Sequence, residues 1–233
     1  MKSTLARGAQ VAGVCVLLGV APARATTIEI GLATTPGSIT LEATGGAAGV
    51  GWAGSYDNYL FNAIYASDPN PVNLGSGTVD VTLPSSWGGA TQPVYVYVTE
   101  TGLTSSKSAL NFTSALDIEN LPSGWSEIET TFVDKANTAF GTPSAGKLAS
   151  LTTQPGQMSA AQTTTANGVP VGSTFSLTEV YELISNGLGG VDISSETITD
   201  PAPAPPIGSG IPGMLAVGGV LLGAKLLARW RRA

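Results

Sequence analysis

Hydrophobic and polar residues alternate over short runs along most of the chain. The runs cover residues 28–32, 39–41, 58–66, 78–84, 94–98, 109–118, 128–133, 175–184 and 191–198. Successive side chains of a strand point to opposite faces, so a period of two indicates a strand with one buried face. The pattern therefore predicts about nine short strands.

Residues 94–98 differ from the other runs, because their sequence VYVYV is apolar or aromatic at every position. Such a run is typical of a central strand that is covered on both sides. Clusters of proline, glycine and asparagine separate the runs and indicate turns. The whole pattern predicts an all-β fold, an antiparallel β-sandwich or jelly roll. Residues 144–165 are polar and rich in Gln, Thr and Ala, and we interpret them as a long loop or an irregular strand.

The start of the chain has the order of a secretory signal. Two basic residues precede an apolar run over residues 11–20, and Ala23 and Ala25 stand at the −3 and −1 positions of a cleavage site. The run is shorter than the ~20 residues that a spanning helix needs. We therefore expect cleavage before Thr26.

A second apolar segment, residues 211–228, lies near the other end of the chain. At that length a helix spans about 27 Å, which is enough for a thin bilayer core. The basic cluster that follows places this end in the cytoplasm by the positive-inside rule. The segment predicts a transmembrane helix whose anchor residues are Ile211, Met214, Leu221, Leu222, Lys225, Leu227, Arg229, Trp230, Arg231 and Arg232.

The two ends together predict four parts. They are a signal peptide at 1–25, an exported β-sandwich domain at 26–200, a Pro/Gly-rich spacer at 201–210 and a transmembrane sorting or anchor tail at 211–233. The domain is expected outside the cytoplasmic membrane, in the periplasm, with onward sorting to the cell surface as an open alternative. Gly219 and Gly223 form a GxxxG pair, a pattern that can bring two such helices together.

The tail resembles the PEP-CTERM family of sorting signals. In those signals a proline-rich spacer, a short glycine-rich apolar helix and terminal arginines follow one another, as residues 201–206, 211–228 and 229–232 do here. The Pro-Glu-Pro motif itself is absent, since Ala202 and Ala204 stand between the prolines. The resemblance implies a bacterial surface protein that is handled by an exosortase, a membrane-embedded protease, in an organism that makes biofilm or exopolysaccharide.

The charged residues are distributed unevenly. All 16 acidic residues but only three of the ten basic ones lie between Thr26 and Gly210, which gives that segment a formal charge near −13. Such a surface repels phosphate backbones, so nucleic acid is excluded as a partner.

Several reactive side chains are missing from the exported segment. Histidine is absent from the chain, arginine is absent from residues 26–210, and the single cysteine, Cys15, lies in the predicted signal. These absences exclude His-based nucleophile activation and zinc sites with thiolate or imidazole ligands. Carboxylate-pair hydrolysis, an oxygen-ligand calcium site and a Ser/Lys arrangement remain. No motif supports any of them, and we expect no catalytic residue, metal or cofactor.

Five carboxylates are nevertheless candidates for an acid–base pair or a calcium site. They are Asp57, Asp68, Asp80, Glu127 and Glu129. Their positions beside turns, or between apolar residues of strands, favour a solvated acidic face.

Aromatic residues are concentrated between residues 52 and 97. They can form the core, or they can stack on sugar rings if they are exposed. Tyr59 and Tyr95 lie in strand patterns that favour burial. Trp52 and Trp87 flank glycine-rich turns and are the candidates for glycan contacts.

The sequence therefore predicts a non-catalytic exported surface or extracellular-matrix protein with a C-terminal membrane anchor. The alternative is a secreted carbohydrate-binding module or a carboxylate-pair glycoside hydrolase. The expected partners are the membrane, an exosortase-like sorting protease and exopolysaccharide.

Overall fold

The computed structural model describes residues 26–67, 73–83, 92–153, 156, 160–185 and 189–199. These residues form two six-stranded antiparallel sheets. The strands are β1 Thr27–Ala33, β2 Thr40–Gly46, β3 Val50–Tyr56, β4 Tyr59–Ser67, β5 Asn73–Leu83, β6 Val94–Thr104, β7 Ala109–Asn120, β8 Trp125–Asp134, β9 Lys147–Thr152, β10 Ala160–Pro170, β11 Thr174–Ser185 and β12 Gly189–Thr199. A 3-10 turn at Ser144–Gly146 precedes β9.

The strands divide between the sheets in an order that differs from their order in the chain. Sheet A has the order β2-β1-β6-β11-β8-β9, and sheet B has the order β10-β7-β12-β5-β4-β3. The predicted all-β fold of two antiparallel layers is confirmed. The last two strands of the chain, β11 and β12, lie near the middle of their sheets.

The interpretation of residues 144–165 as one long loop or an irregular strand did not separate two strands that lie there. These residues contain the whole of β9 and the first half of β10. Both are edge strands, as is β3, which the alternation also missed. An edge strand pairs on one side only and leaves much of its surface in water, so its sequence carries a weaker apolar period.

The core lies between the inner faces of the two sheets. Alternate residues of β1 and β6, from Ile28 to Leu32 and from Val94 to Val98, are fully buried there, together with Tyr59 of sheet B. Trp125 of β8 is also fully buried, and its ring centroid lies 6.2 Å from that of Tyr59. Burial of each large apolar side chain stabilises the fold by roughly 1.5–3 kcal/mol.

The outer face of sheet A is partly covered as well. Ala33, Tyr97 and Val180 are buried there beneath Ile39, Phe132 and Phe140. The prediction that residues 94–98 are covered on both sides is therefore confirmed at Tyr97, although Tyr95 is only half-buried.

Part of this cover, the Phe140 side chain, comes from the loop between β8 and the 3-10 turn. Asn137 Oδ1 accepts a hydrogen bond of 2.7 Å from the Gly102 N–H, and the Phe140 N–H donates to Thr99 Oγ1 at 3.2 Å. These bonds hold Phe140 at φ 56°, a left-handed conformation that costs a residue with a side chain about 1–2 kcal/mol. The Phe140 ring then meets Tyr97 edge to face, with the centroids 6.1 Å apart.

The described residues contain no helix that is long and apolar enough to cross a membrane. The predicted signal peptide, spacer and anchor tail, including the glycine pair Gly219 and Gly223, lie outside the described residues. Their assignments therefore stay predictions.

We predict that Phe140→Ala lowers the free energy of unfolding by about 2 kcal/mol. A fully buried Phe→Ala substitution costs about 3–5 kcal/mol, and the Phe140 side chain is half-buried. Urea denaturation of the variant measures the loss. Leu60→Ala, which truncates an exposed side chain on sheet B, is the control and should cost less than about 0.5 kcal/mol. Equal losses in the two variants would contradict the covering role of Phe140.

Candidate functional site

Four glutamates lie on the inner face of sheet A, between the two sheets. Glu100 belongs to β6, Glu127 and Glu129 to β8, and Glu179 to β11, and each side chain is 0% exposed. Strand alternation places them there. On β8, for example, the two glutamates point inward together with the core residue Trp125.

The register of the strands brings the four residues into one patch. Glu129 lies opposite Tyr181, so Glu179 is its diagonal neighbour on β11. Glu100 lies opposite Leu177 and is likewise diagonal to Glu179. Diagonal neighbours in a sheet are about 7–8 Å apart, within reach of long side chains.

Sheet B faces this patch with hydroxyl groups from β12. Ser195 Oγ lies 2.5 Å from Glu129 Oε1, and Thr197 Oγ1 donates to Glu179 Oε1 at 3.0 Å. Tyr181 of sheet A donates to the other oxygen of Glu179 at 3.4 Å. The middle of the sandwich is therefore a polar layer that connects the two sheets.

The hydroxyl groups of Thr153 and Ser195 each contact one carbonyl oxygen and one glutamate oxygen, and this arrangement indicates that Glu127 and Glu129 are neutral. Thr153 Oγ1 lies 3.1 Å from the main-chain oxygen of Glu127 and 3.2 Å from Glu127 Oε2. Ser195 Oγ in the same way contacts the Ala115 carbonyl at 3.0 Å and Glu129 Oε1. A hydroxyl has one hydrogen and a carbonyl can only accept, so a proton on each glutamate completes both bonds.

The surroundings of these groups lead to the same conclusion. Burial raises the pKa of Glu127 to about 7, and the hydrogen bond from Thr153 opposes that rise only in part. Burial and the nearby charge of Glu179 raise the pKa of Glu129 well above its usual range. All three lysines of the described chain are exposed, so no basic side chain neutralises the layer from within.

The expectation of a solvated acidic face was therefore wrong for Glu127 and Glu129. Apolar and polar residues alternate from Ile128 to Phe132, but here the polar set points into the core and the apolar set points outward. Ile128 and Phe132 lie half-buried on the outer face of sheet A, while the glutamates point into the core.

The enclosed layer has limited chemistry. Its carboxyl groups can store and release protons, but a substrate cannot reach side chains that are fully buried. No group of three acidic side chains in the described part of the chain is arranged to hold a metal ion.

A groove of about 490 Å³ crosses the outer side of sheet B. Its lining comes from β10, β7, β12, β5 and β4, and neighbouring strands lie about 4.8 Å apart, so the groove extends over roughly 19 Å. The lining residues are mainly small or carry hydroxyl, amide or carboxyl groups, and they are Ser67, Gly75, Ala115, Leu116, Asp117, Ala161, Gln162, Thr163, Ser194 and Ser195.

Hydrogen bonds fix two side chains of the groove. Gln162 lies opposite the core residue Leu116, so its side chain points to the inner face of sheet B. There Gln162 Nε2 donates to the Thr152 carbonyl at the end of β9 at 3.0 Å. Ser195 is held by its contacts with Ala115 and Glu129 and is 6% exposed. The groove and the buried glutamate layer therefore meet at Ser195.

Further acids lie beside the groove on the same face. Asp192 lies opposite Asp80 in the register of β12 and β5. Partial burial and the charges of Glu119 and Asp80 raise the pKa of Asp192. The electrostatic potential at this end of the groove is therefore negative.

The structure places the other predicted site residues as follows. Trp52 is half-buried on β3, where it packs against the core with its ring centroid 5.6 Å from that of Phe61. Trp87 and Asp68 lie outside the described residues. Asp57 is exposed at the β3–β4 turn, and Tyr59 is buried as predicted.

Sequence reasoning missed the groove. Its residues come from five strands that are distant in the chain, and they are of types that form no motif. The only signal was the polar composition of residues 160–170, which have almost no large apolar side chain.

No family model matches the chain, and no curated protein matches it. Among solved structures, the enzymatically active domain of tailspike protein 4 of bacteriophage CBA120 is 11% identical, with a TM-score of 0.35. That match covers 66% of this chain and 20% of the tailspike chain, so this chain spans about a fifth of its length. TmCBM27, a carbohydrate-binding module studied for specific mannan recognition, is 10% identical, with a TM-score of 0.33, over 65% of this chain and 89% of that one. Because both likenesses are this low, neither protein's ligand is assigned to this chain.

The buried glutamates predict that the protein loses stability as the pH rises. At a pH below the ordinary value of 4.5, Glu127 is protonated whether the chain is folded or not, and it has no effect. Between 4.5 and about 7 the unfolded chain loses this proton while the folded chain keeps it, so stability falls. Above that range the full cost is about 3 kcal/mol.

We therefore expect the free energy of unfolding to be larger near pH 5 than near pH 8, and Glu127→Gln to reduce this difference by about 3 kcal/mol. Urea denaturation at a series of pH values measures both. Asp57→Asn, at an exposed turn, is the matched control and should leave the pH dependence unchanged. A stability that rises with pH in this range would contradict the neutral glutamate layer.

Proposed function

We propose that this chain is a non-catalytic exported surface or extracellular-matrix protein whose β-sandwich binds neutral polysaccharide. The observation that supports this most directly is the groove on sheet B. Its open, elongated form suits a chain-like ligand that lies across several strands.

The chemistry of the groove matches that of sugars. Sugar hydroxyls both donate and accept hydrogen bonds, and the Thr163 hydroxyl, the Asp117 carboxylate and the Ser194 hydroxyl offer partners of both kinds. Ala115 and Ala161 have small side chains, which let a ligand approach the sheet closely.

The charge distribution favours a neutral ligand over an acidic one. None of the described residues that line the groove is a lysine or arginine, and Asp117 contributes a negative charge to it. Asp80, Glu119 and Asp192 lie nearby on the same face, so a uronate or sulfate chain would be repelled.

The positions of the carboxyl groups support binding without turnover. Glycoside hydrolysis usually needs two carboxyl groups on either side of the scissile bond. Of the described residues that line the groove, Asp117 alone has one. The glutamates with raised pKa, Glu127 and Glu129, are enclosed between the sheets.

The two ends of the chain supply the rest of the proposal. The N-terminal segment directs export and is cleaved before Thr26, and residues 211–228 anchor the protein in the cytoplasmic membrane with the sandwich outside. An exosortase-like protease then acts on the tail, as the resemblance to PEP-CTERM signals implies.

We predict that the purified chain, in mild detergent, binds neutral glucans, galactans or mannans and releases no reducing ends from them. Asp117→Ala and Ser194→Ala should each weaken binding about tenfold, because each removes a hydrogen-bonding group from the groove. Affinity electrophoresis with a panel of neutral and acidic polysaccharides measures both effects.

Two controls decide where the ligand lies. Asp57→Ala removes an exposed carboxylate outside the groove and should leave binding unchanged. If Trp52→Ala abolishes binding while the groove variants do not, the site is on β3 and the proposed groove site is wrong. Turnover that is lost in a Glu→Gln or Asp→Asn variant would replace the non-catalytic proposal with a hydrolase.

We also predict the topology of the chain in the membrane. A reporter enzyme that requires the periplasm should be active when fused after Gly210 and inactive when fused after Ala233. A reporter that requires the cytoplasm should give the opposite result. If both fusions report the same side, residues 211–228 do not span the membrane.

A further inference from the structure

Strand β10 forms one free edge of sheet B. It pairs with β7 on one side, and in the described part of the chain no strand pairs with its other side. The pairing with β7 is regular from Ala160 to Ala166, before a bulge between Ala166 and Val169. The backbone groups on the outer side of this regular stretch are therefore arranged as a strand partner would need them.

The other three edges are shorter or interrupted. The pairing of β10 runs without a shift over the seven residues Ala160–Ala166, whereas register shifts divide the pairings of β2, β3 and β9 into shorter pieces. The pairing of β2 is irregular, and β2 carries the charged residue Glu42. β3 has a bulge between Trp52 and Gly54. The pairing of β9 is also irregular, and β9 begins at the charged residue Lys147. Charges and bulges are the usual devices that keep an edge from pairing with another chain. The regular part of β10 has none of them.

The charge pattern identifies the partner that fits this edge. No charged residue occurs between Lys147 and Glu179, a stretch that contains β10 and most of β9, whereas the exported segment as a whole has a charge near −13. Two copies of so acidic a domain repel each other over most of their surfaces. They can approach closely along a side that carries no charge.

The side chains of β10 also suit self-pairing. Thr163, Thr164 and Thr165 follow one another, and Thr163 and Thr165 are exposed on the outer face. β-Branched residues favour strands, and threonine pairs across strands contribute roughly 0.2–1 kcal/mol each.

We propose that β10 is the contact through which a second copy of this chain docks. The two β10 strands pair antiparallel about a two-fold axis, so that the sheets B of two copies form one continuous sheet. Such a contact is self-complementary, as two-fold contacts between identical chains require. It does not depend on polysaccharide binding, and it gives an anchored surface protein a way to assemble with its neighbours.

Single cysteines test the proposal, because Cys15 is the only cysteine of the chain. In a full-length Cys15→Ser background, cysteines are introduced one at a time at Gln162, Thr163, Thr164 and Thr165, and the membranes are treated with a mild oxidant. Only residues next to the axis come within disulfide distance of their copies in an antiparallel pair. We expect one position of maximal cross-linking, with yields that fall away on either side of it.

The control cysteines are Thr40→Cys and Thr44→Cys on β2, an edge strand of the other sheet with similar exposure. If β10 cysteines cross-link no better than these, the proposal is wrong. Equal cross-linking at every β10 position would indicate a parallel or non-specific contact and would also overturn it.

A second measurement separates this contact from others. Thr163→Lys with Thr165→Lys places like charges opposite each other and should reduce the dimeric fraction about tenfold in detergent, whereas Thr40→Lys with Thr44→Lys should not change it. Circular dichroism confirms that each variant is folded. A dimer that persists in the β10 variant is held elsewhere, for example by Gly219 and Gly223 of the tail, and that result would overturn the proposal.

Discussion

The two sheets pack against each other across four carboxyl groups, and no basic side chain of the described chain reaches them. A charged carboxylate in this position would cost far more than the surrounding hydroxyl groups return. The fold is therefore most stable when Glu127 and Glu129 are protonated and hydrogen-bonded. Ser195 and Thr197 of the opposite sheet hydrogen-bond to Glu129 and Glu179. These bonds form only when sheet A lies in one lateral position over sheet B. An apolar core would allow the sheets to slide more easily, because its contacts are not directional.

The central strands could be predicted from the sequence, and three of the four edge strands could not. The runs that became β1, β6 and β11 alternate strongly or are apolar throughout, because those strands have neighbours on both sides. β3, β9 and β10 each pair with one neighbouring strand. On the other side of each strand, solvent can hydrogen-bond to the backbone, and polar side chains are tolerated. Their sequences are consequently rich in Gly, Ser and Thr, which a sequence pattern does not distinguish from a loop.

The candidate site was harder to predict for two different reasons. On β8 the period of two was recognisable, but hydrophobicity gave the wrong inward face, since Glu129 is neutral and hydrogen-bonded where its sequence suggests a charge. The groove has no local pattern at all. Asp117, Thr163 and Ser194 meet only because β10, β7 and β12 are adjacent in sheet B, and no local pattern in the sequence reveals that order. The uneven distribution of charge could be read directly from the sequence. It is the reason for proposing a neutral ligand and an uncharged edge strand as the contact between copies.

The order of strands in the sheets also constrains how the protein folds. β11 lies between β6 and β8 in sheet A, and β12 lies between β7 and β5 in sheet B. Until residues 174–199 are available, each sheet consists of two separate parts with unpaired edges. Most pairings join strands that are far apart in the chain, and such contacts form slowly. A chain that crosses a membrane with its N-terminus first would therefore spend the whole passage with both sheets incomplete, and it would close them together in one late step.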